Sequence, residues 1–450
     1  EDLKAFAGKE VFYVVAPEGR VLLKTVAGMS DAEQALFEEK QRTRERVEVA
    51  VDRIRLDEQQ VLDMRKVDAS DSGVRCGPKA ANLGQLKKMY PDQVVEGLVI
   101  PFGIFRAHMD QTMPGQQLSY WTFLNNAFAK AAKMRIDGMT EDKIETYVLE
   151  QLELLREGIQ SMQFSDEFRS DLLQQFEQVF KRPIGEVPVF VRSDTNMEDL
   201  KEFTGAGLNL TLFNVVTPES IFEGIKKVWA SPYTERSFKW RQRYLINPEN
   251  VFPSILIIPS VDVDFSGVII TKGITNDVAE DLTVAISRGA GGAVDGQAAE
   301  SYLLEAGGQQ QLLTPAREPG YRRLPVSGGT SQHMATFDQP IASATNLQTI
   351  RDFADRVEQT FPEATGTEPA AAYDIEFGFA NDKLWLFQIR PFVESKNVWE
   401  IAGAETLPYQ TEATTDKSGN SWWLSLLVIV LLGGAIIWWA LSRNKRQILE

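Results

Sequence analysis

Apolar and polar residues change their spacing several times along the chain, and each change marks a predicted element. Glu10-Val-Phe-Tyr-Val-Val15 and Arg20-Val-Leu-Leu-Lys-Thr-Val26 are β-rich runs on either side of the turn-forming Pro17-Glu-Gly-Arg20, which predicts a hairpin. Ser30-Asp-Ala-Glu33 has the form of a capping box. It opens a predicted long amphipathic helix carrying Leu36, Val47, Val51, Ile54, Val61 and Leu62, with the charge run Glu38 to Glu48 on its solvated face. From 116 to 182 the spacing is helical: Thr140-Glu-Asp-Lys143 leads into Ile144, Val148, Leu152 and Leu155, and Phe168, Leu172, Leu173, Phe176 and Phe180 line a second stripe. Residues 186–395 alternate strand and helix patterns, with Ile221 to Arg243 as the main helical block.

Two patterns within that stretch carry candidate chemistry. The short apolar strand Val187 to Val191 runs into Arg192, Ser193, Asp194, Thr195 and Asn196, then Glu198-Asp199, then Gly205 and Gly207. A guanidinium at a strand end, followed by small donors and flexible backbone, suits a phosphate or another multi-oxygen anion; an ordinary polar loop fits the same residues. Further on, Asp374 and Glu376 alternate with Ile375 and Phe377, and Gln388 and Arg390 alternate around Ile389. Period two puts each polar pair on one face of its strand. The turn Ala380-Asn-Asp-Lys383 predicts an antiparallel pairing that brings the four side chains together. Carboxylates with an amide oxygen are hard ligands of the kind Mg²⁺ takes, although a structural salt-bridge cluster uses the same groups.

The ends of the chain look different. Residues 402–420 are polar with little apolar patterning and read as a linker. Trp422 to Leu441 is uncharged, about the 20 residues a helix needs to cross a bilayer, with tryptophan pairs at both ends. Arg443, Lys445 and Arg446 follow it, whereas Lys417 stands beside Glu412 and Asp416 before it. The positive-inside rule then places the C-terminus in the cytoplasm and the large N-terminal part outside, with a cytoplasmic tail-anchored form as the alternative. The start at Glu1 rather than methionine agrees with a processed, periplasmic protein. These patterns predict an association with the lipid bilayer and with other membrane-complex subunits.

Composition narrows the class. The 450 residues are 43% hydrophobic and 24% charged, which is ordinary for a globular chain of more than one domain. With 47 basic and 63 acidic residues the formal charge is −16, which argues against a nucleic-acid partner. Cys76 is the only cysteine, so no intrachain disulfide or cysteine-based metal site is available. With two histidines, His108 and His333, no Ser/His/Asp or Cys/His nucleophilic set has independent support in the sequence.

The polar cluster is similar to the V-R-S-S-x-x-x-E-D-L-x-x-x-S-G-x-G signature of the nucleotide-binding domain of pyruvate phosphate dikinase and phosphoenolpyruvate synthase. Three further blocks resemble that family in the same order. Cys76-Gly-Pro-Lys-Ala-Ala-Asn-Leu-Gly-Gln-Leu86 resembles G-G-K-x-x-N-L-G-x-L, followed by Ile100-Pro-Phe-Gly103 for V-P-x-G-F. Val261-Asp-Val-Asp-Phe-Ser-Gly-Val268 resembles V-x-A-D-x-S-G-V. Tyr373-Asp-Ile-Glu-Phe-Gly378 and Phe387-Gln-Ile-Arg-Pro391 resemble D-I-E-W and L-Q-x-R-P.

The resemblance implies an α+β ATP-grasp domain over 67–400, with a helical insertion at 116–182. To this the patterns add a hairpin and amphipathic helix at 1–66, a linker at 401–420, a transmembrane helix at 421–442 and a basic tail at 443–450. It further implies ATP and Mg²⁺ as ligands. Lys79, Arg192 and Arg390 take the phosphate-contacting places, with Ser193, Glu198, Asp199 and Asp374 beside them. Glu376 and Gln388 take the metal-ligating places. Arg288-Gly-Ala-Gly-Gly-Ala-Val-Asp-Gly296 stands where the family has G-L-G-E-x-V-V-x-G; Gly289, Gly291 and Gly292 keep a backbone able to approach an anion, but the glutamate is lost. Pro78 replaces a family glycine and stiffens its loop. The family's phosphohistidine and phosphoenolpyruvate-binding domains have no counterpart here, and Gly328-Gly-Thr-Ser-Gln-His333 echoes the histidine motif only in the wrong place. No catalytic residue is assigned. The expectations are an ATP-binding domain passing phosphoryl to a separate acceptor, or a degenerate extracytoplasmic scaffold retaining a site for a nucleotide or phosphorylated small molecule.

Overall fold

The computed structural model describes residues 11–15, 21–25, 28, 46–198, 208, 210–294, 296–366 and 372–393. Two compact units divide the chain: Glu1–Thr43 with Ser395–Glu450, and Arg44–Glu394. In the first, Val11–Val15 (β1) pairs antiparallel with Val21–Thr25 (β2).

The second unit contains two large sheets, antiparallel at every ladder. The five-stranded sheet runs in the order β3 (Leu62–Asp63), β4 (Leu98–Ile100), β7 (Pro253–Pro259), β5 (Val189–Thr195) and β6 (Thr211–Val215). The six-stranded sheet runs β11 (Gln310–Thr314), β10 (Glu300–Leu304), β9 (Leu282–Arg288), β8 (Phe265–Ile270), β14 (Tyr373–Ala380) and β15 (Lys383–Pro391). A separate hairpin pairs β12 (Gly320–Arg323) with β13 (Ser331–Met334).

Why β7 is apolar almost throughout follows from where it lies. Ile255 and Ile257 point into a core shared with the helices, while Leu256 and Ile258 point into a second core under the six-stranded sheet. Strand β4 divides in the same way, with Leu98 and Ile100 on one face and Val99 on the other. A strand covered on both faces has no solvated side to mark with polar residues.

The first core is closed by helices Phe102–Met109 (α2), Tyr120–Ile136 (α3), Glu141–Ser161 (α4), Asp166–Phe180 (α5), Pro218–Ala230 (α6) and Glu235–Tyr244 (α7). Ser119, Ser165, Thr217 and Thr234 cap α3, α5, α6 and α7 through their side-chain oxygens. The second core takes Pro78–Met89 (α1) and Ala344–Thr365 (α8).

Three expectations require correction. Residues 46–61 form no helix; Val47 bridges to Leu245 and Val49 bonds Asn247, so long-range pairing overrides the helical spacing. The rest of the predicted helix, 30–45, lies outside the described residues. The strand expected to end at Val191 does not end there: Arg192 to Thr195 continue β5, paired with β7 from Leu256 to Pro253, so the alternative of an ordinary loop does not hold for them.

The expected transmembrane helix is the third. Among the described residues no helix is long and apolar enough to cross a membrane, and 421–442 lie outside them. The described fold is mixed α/β. The anchored, extracytoplasmic placement and the scaffold role built on it therefore find no support among the described residues.

Candidate functional site

The two sheets of the second unit face each other across a cleft of about 510 Å³. Most of its polar residues come from α1, β5 and the β14–β15 hairpin; its apolar end is the group of Phe190 with Phe213, ring centroids 5.3 Å apart, and Ile258, opposite Phe190 in the β5–β7 ladder. Nine of the residues singled out in sequence line this one cleft: Lys79, Arg192, Ser193, Glu198, Gly291, Asp374, Glu376, Gln388 and Arg390. Gly289 and Gly292 lie in the adjoining loop but not on the lining, and Asp199 lies outside the described residues.

The hairpin pairs as the alternation predicts, Asp374 opposite Arg390 and Glu376 opposite Gln388. Its turn uses Asn381 and Asp382 at φ 50° and 59°, left-handed conformations that short polar side chains tolerate. A bulge beyond Glu376 leaves Phe387 without a ladder partner. Its carbonyl accepts from Arg192 Nη1 at 2.8 Å, and its ring lines the cleft.

Arg192 thereby ties one sheet to the other. Its Nη2 donates to Gln388 Oε1 at 2.7 Å and lies 3.1 Å from Glu376 Oε2. Arg390 holds Asp374 through Nε at 2.9 Å and Nη2 at 2.6 Å. Burial pushes the Asp374 carboxyl up from its usual range, opposed by the neighbouring guanidinium. Lys79 Nζ pairs with the buried Glu198 carboxylate, whose other oxygen accepts from Thr195 Oγ1 at 3.4 Å. The three cations lining the cleft thus each face a carboxylate of the same cleft.

Asp194 is the residue that sequence reasoning left without a role. Its fully buried carboxylate accepts from the amides of Lys79 at 2.8 Å and Ala80 at 3.2 Å, with Ser254 Oγ 3.0 Å away. It therefore occupies the N-terminus of α1, beside Lys79, to which the resemblance gives a phosphate-contacting place. Burial raises its pKa, against the pull of Lys79. Pro78 is the first residue of α1, where a missing amide costs nothing. Gly77 before it has no room for a side chain, since a Cβ would lie 2.3 Å from Asp194 Oδ1. The signal available in the sequence was the pairing of an acidic residue in a buried strand with a Gly-Pro helix start.

The glycine loop is closed on the protein itself. The amides of Gly289, Ala290, Gly291 and Ala293 donate to Asp264 O, Arg322 O, Ser266 Oγ and Ser287 Oγ. Arg288 turns to the carbonyls of Thr336 and Gln339. His333 stands on the exposed β13, and His108 is buried among Phe164, Phe168 and Trp229.

A family model described as the pyruvate phosphate dikinase AMP/ATP-binding domain matches residues 74–406. The chain belongs to this family. Its relatives include a probable phosphoenolpyruvate synthase of Pyrococcus horikoshii, 24% identical over 56% of this chain and 32% of that one. A rifampicin phosphotransferase of Streptomyces sviceus is 24% identical over 78% of this chain and 38% of its own length. A phosphoenolpyruvate synthase of Pyrococcus furiosus is 28% identical over 59% and 33%. This chain spans about a third of the length of these relatives. The dikinase-type domain is thus an ATP-binding domain with phosphotransferase relatives, and the cleft is where its polar signature residues converge.

Proposed function

We propose that the cleft binds ATP with Mg²⁺ and positions the terminal phosphate for transfer to an acceptor supplied from outside the cleft. The observation that carries this reading is the division of one cavity into an apolar end and an end holding Lys79, Arg192, Arg390, Glu376 and Gln388. A flat base buries apolar surface at the first end, and a polyphosphate meets cations at the second.

The donor set fits a divalent cation. Glu376 Oε2 and Gln388 Oε1 both converge on Arg192 Nη2, so two hard oxygens already point at one positive centre. Among the described residues no group of three or more His, Cys, Asp or Glu could hold a metal alone. Two protein oxygens completed by phosphate and water are the usual Mg²⁺ arrangement. When bound, the ion would offset phosphate charge. The chain's own residues would do the rest: Arg192 and Arg390 orient phosphate oxygens, and Lys79 exchanges Glu198 for phosphate. Phosphoryl transfer needs this positioning and charge stabilisation more than covalent help from the protein.

Thermal unfolding with Mg·ATP tests the proposal. A ligand present at 100 times its Kd stabilises the native state by about 2.7 kcal/mol. The melting temperature should rise for the wild-type protein and for Gly307→Ala, but not for Arg192→Ala. No rise for the wild type would sink the nucleotide reading.

A further inference from the structure

The hairpin β12–β13 belongs to neither large sheet, yet it touches both sides of the cleft. At its base it is held to the six-stranded side: Ala290 N donates to Arg322 O at 3.0 Å, and Gly289 packs so close beneath that a Cβ would lie 2.1 Å from that carbonyl. Arg323 pairs with Asp262 and Asp264 on the segment between β7 and β8. Leu324, just past β12, is buried and lines the cleft.

The far end reaches β6 of the opposite sheet and meets one residue there. Asn214 is fully buried and stands at φ 53°, a left-handed conformation uncommon outside glycine. The β5–β6 register slips at this point, so Asn214 leaves the ladder and turns its side-chain nitrogen and main-chain carbonyl to the hairpin. Its Nδ2 donates to Pro325 O and Gly329 O, both at 2.8 Å, and its carbonyl accepts from Gly329 N at 2.8 Å. Gly328 and Gly329, at φ 88° and 71°, supply the turn that brings these groups within reach. Beside the contact, the Arg322 guanidinium lies over the Phe213 ring, 5.7 Å from its centroid, and Phe213 lines the apolar end of the cleft.

We infer that residues 320–334 form a lid over the apolar end of the cleft and that Asn214 is its latch. The latch is small and polar: three hydrogen bonds from one residue, each replaceable by water when the hairpin lifts. The base of the lid is held by ion pairs and close glycine packing, so opening is a hinge at 319–324 with release at 325–329. The hairpin tip offers the cleft little apolar anchorage; Val326 is 87% exposed. The latch therefore sets how often the cleft opens, and the rate at which a ligand with a flat apolar part enters and leaves. The gating of nucleotide rests on the function proposed above; the latch itself does not.

Asn214→Asp keeps the shape and the left-handed tolerance but replaces two donors by a carboxylate facing two carbonyls. Asn214→Gly keeps the backbone conformation and removes the side chain. Each is combined with Val263→Cys, which places a thiol in the cleft at a residue only 2% exposed. Cys76, the only native cysteine, is fully buried and serves as the unreactive background. Thiol labelling of Val263→Cys and hydrogen exchange of 320–334, both without nucleotide, should accelerate about tenfold or more in the Asp and Gly variants, as loss of roughly one net hydrogen bond predicts. Exchange in α8 should not change.

Association and dissociation of a fluorescent Mg·ATP analogue should quicken by similar factors. Unchanged labelling and exchange in both variants would overturn the latch. Faster opening with unaltered nucleotide rates would overturn the gate. If no protein binds the analogue, the nucleotide reading fails, and the labelling and exchange data still decide for or against the lid.

Discussion

Arg192 on β5 and Glu376 on β14 meet at 3.1 Å, and their ion pair joins the two sheets that form the cleft. The same guanidinium holds Gln388, so neither the amide nor the carboxylate is left without a donor in a largely buried place. The proposed ligand site and the seam between the sheets are thus one structure. Anything that draws Glu376 away must leave Arg192 another anion, and in the proposed complex a bound phosphate would be that partner.

Arg192→Ala should cost about 3 kcal/mol in stability, the range for removing one partner of a buried pair. Arg192→Lys should recover part of the stability but not the affinity for Mg·ATP, because one ammonium cannot reproduce the fork. Urea denaturation and calorimetric titration of the two variants separate the effects. A fully stable Arg192→Ala protein would mean that the seam does not depend on this pair.

Glu376→Gln keeps an oxygen at the site and removes its charge. Nucleotide affinity should then fall about tenfold or more, as loss of a charged contact implies, and should lose most of its dependence on Mg²⁺ concentration. Titrating ATP at several Mg²⁺ concentrations reads both quantities. An unaltered Mg²⁺ dependence would remove Glu376 from the metal site.

Gly77→Ala puts a methyl 2.3 Å from Asp194 Oδ1 and 2.7 Å from Thr195 O. Overpacking of this kind costs about 1–3 kcal/mol. At Gly307 a Cβ meets open space, so Gly307→Ala should stay within about 0.5 kcal/mol of the wild type. Chemical denaturation of the pair checks the difference.

Asp194 predicts a pH dependence whose sign follows from burial. Its folded pKa is raised above the usual value of 3.8, so the native state holds the proton more tightly than the unfolded chain. This group is most favourable to folding below the unfolded value, and its contribution falls as pH rises from 3.8 through the raised folded value. Asn cannot ionise. Subtracting the Asp194→Asn stability profile from the wild-type profile should show that downward slope in the acid range; a flat difference would mean that the carboxylate is not perturbed.

Cys76 should resist thiol reagents in the native protein. It is fully buried, and burial together with the Asp194 and Asp71 carboxylates pushes its thiol well above the ordinary range. Labelling should begin only with denaturant and follow the unfolding curve. Rapid reaction in buffer would show that α1 opens locally.

Several parts of this structure were legible without coordinates because they depend on neighbours along the chain. The period-two alternation at 374–377 and 384–390, with a two-residue Asn-Asp turn between, determines the β14–β15 register and brings Asp374 to Arg390 and Glu376 to Gln388. Apolar stripes determine α4 and α5 in the same local way, with Ser165 capping the second. The ordered motifs determine the family. The tertiary structure decided what depends on distant segments. Residues 46–61 have helical spacing, but Val47 and Val49 found partners at 245–247, and that pairing outweighed a weak local preference. Arg192 to Thr195 are polar and so mark a strand end in the sequence, yet β7 holds them in a sheet and the opposite sheet satisfies the guanidinium. The apolar end of the cleft joins separate strands, and the Asp194 cap and the Asn214 contact join residues more than a hundred positions apart. Their chemistry lies in distances between surfaces, which no local period encodes.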